Sequence, residues 1–353
     1  MPIKEFKMIE VRGSHYDMGY EYGKQAGSNI NGFVESTFQM AKIMNPLLTF
    51  SDVASGIKRF VPFMEKYAPD IVEELRGMAD GSGIPLEKIF FLQIRGEMAY
   101  PKAETCTSFA ISTSRSADGN ILIGQNIDWI AQPEHQVIVH LIPKEGPRIL
   151  AWSWAGTLGQ AGINSEGMAR VGNGLTSSRT REGGGFPTQF LMRCILNQPS
   201  VDEAIKWIRK VERSKSGNHV LADRSGKIVD IETTALEDRL IEPENGFVAH
   251  SNNYQHPDFL PYERGLTIFP DSPKRSERLK ELVSKEERAI TVDMAKGWLR
   301  DHINYPVGLC RHKSEGPYKA ITTIASVIAQ PSQGLLHVCA GNPCEGEYTT
   351  YKV

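Results

Sequence analysis

From residue 105 onward this chain is written in strand pairs, and nothing else in it restricts the fold as strongly. Phe109-Ala110-Ile111-Ser112 leads through Ala117-Asp118-Gly119-Asn120 into the apolar run 121–129. The same design recurs at 161–171 around Asn164-Ser165-Glu166-Gly167, and at 218–232 around Asp223-Arg224-Ser225-Gly226. It appears again at 325–339 around Pro331-Ser332-Gln333-Gly334. Short apolar runs joined by Gly, Asn and Asp are hairpins, because such turns fold a strand back antiparallel to itself. Residues 135–142, 148–154 and 347–353 read as further strands, and 188–196, 201–211, 276–284 and 291–302 as helices. Many antiparallel strands with a few helical blocks between them predict sheets packed face to face with helices outside.

The first hundred residues read mostly as helix. Tyr16, Gly19, Tyr20, Gly23 and Ala26 share one helical stripe, and glycines on a stripe predict close approach of another element. Ile57, Phe60, Val61, Met64 and Tyr67 fit a second face. Pro69 opens a helix with Ile71, Val72, Leu75 and Met78 on its apolar side; Gly81-Ser82-Gly83 ends it, and Pro85 opens another. A chain of 353 residues has ample material for a core, and its net charge of −2 with no basic run argues against a nucleic-acid partner. No segment is apolar enough to span a membrane, and the start lacks the apolar stretch of a signal peptide. Five cysteines at long spacings argue against a disulfide framework and for a reducing, cytoplasmic setting. Cys339 and Cys344, with His312 and His337, do not complete a zinc pattern and read as buried or half-buried thiols, so no metal centre is expected.

Cys106 opens the first strand. If the Thr105–Cys106 peptide bond is cut, this residue carries both a thiol and an α-amine, hence its own nucleophile and its own base. An α-amine has a reference pKa near ~8 and is partly neutral at pH 7. Asp128 ends the partner strand, near the same sheet end, where a carboxylate would hold the new amine or a substrate amine. Asn126 shares its face and is a candidate for polar support or substrate binding. Asn252 follows the apolar run 246–249 and would supply an oxyanion donor, typically worth ~3 kcal/mol. His250 is a rival base, Arg95 and Glu97 a candidate ion pair, and Trp129, Trp152 and Trp154 core or acyl-pocket residues.

Cys106-Thr107-Ser108-Phe109 through Gly124-Gln125-Asn126-Ile127-Asp128-Trp129 resembles a known family. So do residues 11–23, Gly162-Ile163-Asn164-Ser165-Glu166-Gly167, His250-Ser251-Asn252-Asn253-Tyr254 and Gly341-Asn342-Pro343. Taken in order, these stretches resemble the acyl-coenzyme A:6-aminopenicillanate acyltransferase family of N-terminal-nucleophile hydrolases. The resemblance implies an α+β fold, a four-layer αββα sandwich of two antiparallel sheets flanked by helices. It implies self-cleavage at Thr105–Cys106 into a mainly helical segment, 1–105, and a catalytic segment, 106–353, which stay together as one structural domain. It implies an acyl-Cys106 intermediate formed from an amide or thioester and passed to an amine or water. No cofactor is then required, and acyl-coenzyme A would enter only as a substrate. Asn252 takes the oxyanion role and Asp128 the amine-contacting role. Two alternatives stay open: a hydrolase only, acting on small N-acyl amines or N-acyl amino acids, and an uncut binding protein.

Overall fold

The computed structural model describes residues 5–98, 105–287, 289–315 and 319–353. In chain order they form β1 (Lys7–Gly13), α1 (His15–Met44), α2 (Phe50–Ile57), α3 (Val61–Tyr67), α4 (Pro69–Ser82), α5 (Leu86–Gln93) and α6 (Arg95–Met98). Then come β2 (Thr105–Ile111), β3 (Leu122–Ile130), β4 (Gln136–Pro143), β5 (Ile149–Trp154), β6 (Ala161–Asn164) and β7 (Met168–Val171). After α7 (Thr188–Leu196) and α8 (Val201–Lys210) follow β8 (Gly217–Asp223), β9 (Ile228–Thr233), β10 (Asp238–Ile241) and β11 (Phe247–His250). The chain closes with α9 (Ser272–Ser284), α10 (Val292–Leu299), β12 (Ile321–Gln330), β13 (Leu335–Ala340) and β14 (Tyr348–Lys352).

The strands make an eight-stranded sheet, ordered β1-β4-β5-β6-β7-β8-β9-β10, and a six-stranded sheet, ordered β11-β2-β3-β12-β13-β14. Each expected hairpin is present: β2–β3, β6–β7, β8–β9 and β12–β13 all pair antiparallel. The expectation of two antiparallel sheets needs one correction. β1 pairs parallel to β4, so the larger sheet is mixed. Lys7–Gly13 offers only Ile9 and Val11 to the core, and its partner lies far along the chain, so the strand leaves little periodic signal.

The sheets face each other across an apolar interior that includes Ile123, Ile127, Trp152, Ile163 and Val327. Gln125 bridges them, its Nε2 donating to Gly172 O at 2.6 Å and its Oε1 accepting from Gly172 N at 3.1 Å. Beyond the smaller sheet, Phe109, Ile111 and Leu122 pack with Leu279, Val283, Trp298 and Leu299 of α9 and α10. Helices α1, α7 and α8 contact the larger sheet. The order is therefore helices, sheet, sheet, helices. Covering both faces of a strand buries every side chain on it, which is why β2 and β3 hold no regular apolar–polar alternation. Among the described residues no helix is long and apolar enough to cross a membrane.

The glycine stripe of α1 has the predicted purpose. A Cβ on Gly19 would lie 1.8 Å from Glu74 O of α4, and one on Gly23 2.4 Å from Met78 O. Gly77 and Gly81 of α4 meet the backbone of Tyr16 and Tyr20 in return. The two helices touch main chain to main chain, and no side chain fits between them. Gly81→Ala, whose Cβ would sit 2.0 Å from Tyr20 O, should destabilise the protein in urea unfolding by roughly 1–3 kcal/mol. Gly27→Ala, where the nearest atom is a side-chain carbon at 3.5 Å, should be neutral or stabilising by up to about 1 kcal/mol.

Candidate active site

Register fixes the site. Thr105 pairs with Asp128, and Cys106 with Ile127. Neighbouring strand residues point to opposite faces. Cys106 therefore turns toward the opposing sheet, while Thr105, Thr107, Asn126 and Asp128 turn toward the helices. Cys106 is buried, in no disulfide among the described residues, on the wall of a cavity of about 60 Å³, room for several water-sized groups. Asp128 reaches the same wall. Trp129, Trp152 and Trp154, buried as core residues, also line it, as do Arg95, Arg170, Lys215 and His219.

The backbone on either side of the Cys106 thiol is held by two residues from outside the hairpin. Asn252, in the turn after β11, accepts the Cys106 N–H on Oδ1 at 2.8 Å and the Thr105 hydroxyl at 3.1 Å. Arg275, in the first turns of α9, donates through Nη2 to the same Oδ1 at 2.9 Å. Its Nη1 donates to Cys106 O and to Thr107 Oγ1, and its Nε to Asp271 Oδ2. Arg275 has no exposed surface, so its charge is tolerated only because these acceptors surround it. Asp271 also receives Arg311 Nη1 at 2.9 Å. Burial alone would raise the Asp271 carboxyl, but the two guanidinium groups outweigh it and hold the group below the usual range.

Asp128 behaves in the opposite way. Burial pushes its pKa up to about 6, and Arg275, Arg311 and the Thr323 hydroxyl only partly counter this. Thr323 donates to Oδ1 at 2.7 Å, while Oδ2 is buried without a hydrogen bond among the described residues. Asn252 also gives its Nδ2 to Gly174 O at 3.0 Å, on the cavity wall. The turn carrying it is locked to α9: Ser272 Oγ accepts Asn252 N–H and donates to Asn253 Oδ1.

The structure thus brings Thr105, Cys106, Asp128 and Asn252 together. Asn126 does not join them. Its Nδ2 donates to Leu299 O and Leu309 O, so it anchors the α10 end and the loop beyond rather than facing the cavity. His250 is not beside the thiol either. Its ring nitrogens meet Ser251 O at 2.7 Å and Glu232 Oε1 at 2.8 Å. Burial alone would lower its pKa, but Asp230 and Glu232 reverse that and raise it. Arg95 and Glu97 do not pair: Arg95 donates to Leu92 O and Gln189 Oε1, and Glu97 accepts from Thr188 N and Ser214 Oγ. The sequence reading missed Arg275, Asp271 and Arg311. A signal for Arg275 existed, because it lies on the stripe with Ser272, Ser276, Leu279 and Val283 that α9 buries. Away from the cavity, His302, Cys310, His312 and Cys344 bring four ligand atoms within 4.8 Å of one another. The thiols are buried or half-buried as expected, but Cys344 Sγ lies 3.5 Å from Cys310 Sγ, a pairing that the sequence reading did not consider.

Residues 114–345 match the family model "Acyl-coenzyme A:6-aminopenicillanic acid acyl-transferase", a span that contains Asp128, Asn252 and Arg275. The acyl-coenzyme A:6-aminopenicillanic-acid-acyltransferase 40 kDa form of Emericella nidulans is 26% identical over 320 residues, 89% of this chain and 87% of that protein. The beta-alanyl-dopamine/carcinine hydrolase of Drosophila melanogaster is 20% identical over 57% of each chain. A conjugated bile acid hydrolase mutant from Clostridium perfringens superposes with a TM-score of 0.49 at 15% identity, covering 70% of this chain and 97% of that one.

The Asp128 environment generates a pH-dependent prediction. Its folded pKa, about 6, lies above the ordinary 3.8, so ionisation opposes folding. Below about pH 3 the carboxyl is neutral in both states and costs nothing; the cost grows as pH rises and is complete above about pH 7. In Cys106→Ala chains, which keep both samples uncut, Asp128→Asn should stabilise the protein at pH 8 by roughly 2–3 kcal/mol. At pH 4 the gain should fall to about 0.5 kcal/mol. Urea unfolding at the two pH values measures it, and an equal gain at both would exclude this origin.

Proposed function

Because this chain belongs to the acyl-coenzyme A:6-aminopenicillanic acid acyl-transferase family, we propose that it is a self-processing cysteine amidohydrolase or acyltransferase, with Cys106 as the residue that cuts and then carries the acyl group. The observation that carries this reading is the grip on Cys106: N–H on Asn252, C=O on Arg275, thiol on a cavity wall.

In the uncut chain the Cys106 thiol, deprotonated, attacks the Thr105 carbonyl carbon. The C–S bond forms, the C–N bond breaks, and the leaving nitrogen takes a proton to become the free α-amine. Water then hydrolyses the thioester, leaving a Thr105 carboxylate and restoring the thiol. Residues 1–105 and 106–353 remain one unit, since β1 and the first helices pack on the larger sheet. The new amine keeps Asn252 Oδ1 as acceptor. The nearby Arg275 charge disfavours a second cation, so the amine stays neutral and takes the thiol proton. Asp128 Oδ2 supplies an acceptor for this amine or for that of a substrate. The thiolate attacks the substrate carbonyl, the amide or thioester leaving group departs with a proton, and water or an amine takes the acyl group from sulfur. Asn252 Nδ2 serves the oxyanion.

Arg95, Arg170 and Lys215 on the cavity wall, with Asp128 the one carboxylate among its lining residues, favour a donor or acceptor that carries its own carboxylate. N-acyl amino acids meet that description, and acyl-coenzyme A remains a candidate donor. Asn126 acts through the loop that it anchors rather than on substrate. Five cysteines in no disulfide among the described residues support a reducing, cytoplasmic setting.

Intact mass should show two fragments of roughly 12 and 28 kDa on mean residue masses, the larger starting Cys-Thr-Ser-Phe. Cys106→Ala should stay whole and inactive. Fully active protein that remains one chain would defeat the α-amine mechanism. With N-acyl amino acids, Lys215→Met should raise KM about 10-fold and leave kcat nearly unchanged, the mark of lost uniform binding. An unchanged KM would remove Lys215 from carboxylate recognition.

A further inference from the structure

We propose that His302, Cys310, His312 and Cys344 form a tetrahedral zinc site that fastens the connection between α10 and β12 to the β13–β14 turn. Three places in the chain supply the ligands. His302 follows α10, Cys310 and His312 flank Arg311 in the connection to β12, and Cys344 sits in the turn before β14.

The distances carry the assignment. Cys310 Sγ and Cys344 Sγ are 3.5 Å apart; His312 Nε2 is 3.6 Å from the first and 3.4 Å from the second. His302 Nε2 and His312 Nε2 are 3.1 Å apart. With Zn–S near ~2.3 Å and Zn–N near ~2.05 Å, a tetrahedron has S–S, S–N and N–N edges of roughly 3.8, 3.6 and 3.3 Å. Four of the six edges therefore lie within a few tenths of an ångström of these, the N–N edge the shortest, and all four ligand atoms lie within 4.8 Å of one another. A disulfide would need the sulfurs at ~2.05 Å, and both cysteines are free.

Thiolate with imidazole is the donor set that suits Zn²⁺ best among common ions. Binding would release the two thiol protons to solvent and form two Zn–S and two Zn–N bonds. Four protein ligands leave no open position, so the ion would be structural. Groups around the ligands have the polarity that outer partners of a metal site require. Asn342 Nδ2 points at Cys310 Sγ at 3.5 Å, and Glu345 Oε1 lies 4.0 Å from His312 Nδ1. None of the four ligands lines the cavity of Cys106. The consequence for the active site runs through Arg311. Its carbonyl accepts from Asn342 Nδ2 at 2.7 Å, and its guanidinium reaches Asp271, the carboxylate that also holds Arg275.

The test uses full-length protein kept reduced, with Zn²⁺ and Co²⁺ as probes. After dialysis, elemental analysis should find one Zn²⁺ per chain. Co²⁺ should give the intense visible absorption of tetrahedral thiolate coordination, bleached by added Zn²⁺. Cys344→Ser and His302→Ala should both lose the ion, while Cys339→Ser should retain it. His302 is exposed, so its variant keeps the test valid if a cysteine variant fails to fold. Three results would overturn the assignment: reduced wild-type protein that holds no zinc and gives no such Co²⁺ spectrum; a Cys310–Cys344 disulfide in protein alkylated at lysis; or zinc lost as fully from Cys339→Ser as from Cys344→Ser.

Discussion

A single buried guanidinium organises this molecule. Arg275 has no solvent to turn to, and taking a cation out of water costs several kcal/mol unless acceptors replace the lost hydration. The acceptors it uses are Cys106 O, Thr107 Oγ1, Asn252 Oδ1 and Asp271 Oδ2. They come from β2, from the turn after β11 and from Asp271, the residue that precedes α9. Any shift of these three pieces relative to one another strips a partner from a buried charge. Electrostatics therefore penalises displacement of the groups around Cys106, in addition to the packing of the core that Cys106 belongs to.

The carboxylates divide along the same line. Asp271 sits between two guanidinium groups and is held ionised; Asp128, one step further from them, is pushed toward neutrality. Two acids in one neighbourhood with displaced tendencies in opposite directions are a common basis for dividing proton-holding roles within a site.

The strand pairs and the α1–α4 contact were readable because their causes are local. A turn residue or a glycine stripe acts on its own few neighbours. Cys106, Asp128 and Asn252 were readable because two lie on one hairpin and the third ends a strand. Arg275 was not, because an arginine in a helix normally reads as solvated, and only the burial of Ser272, Ser276, Leu279 and Val283 around it shows otherwise. The partners of Asn126 were not readable, because facing the same way as Asp128 says nothing about what lies opposite; Leu299 O and Leu309 O lie there. The His302, Cys310, His312 and Cys344 group escaped because one ligand comes from a turn beyond an intervening hairpin. Spacing rules see only ligands that are near in sequence.

β1 gives the N-terminal segment a task unrelated to chemistry. It lies at the rim of the eight-stranded sheet, its register running from Lys7 opposite Val137 to Gly13 opposite Pro143. Without it, β4 would present bare amide and carbonyl groups beside Val137, Ile138, Val139 and Leu141. That is an apolar template for uncontrolled strand addition. β1 is thus a guard against self-association, and residues 106–353 prepared without it would be expected to aggregate.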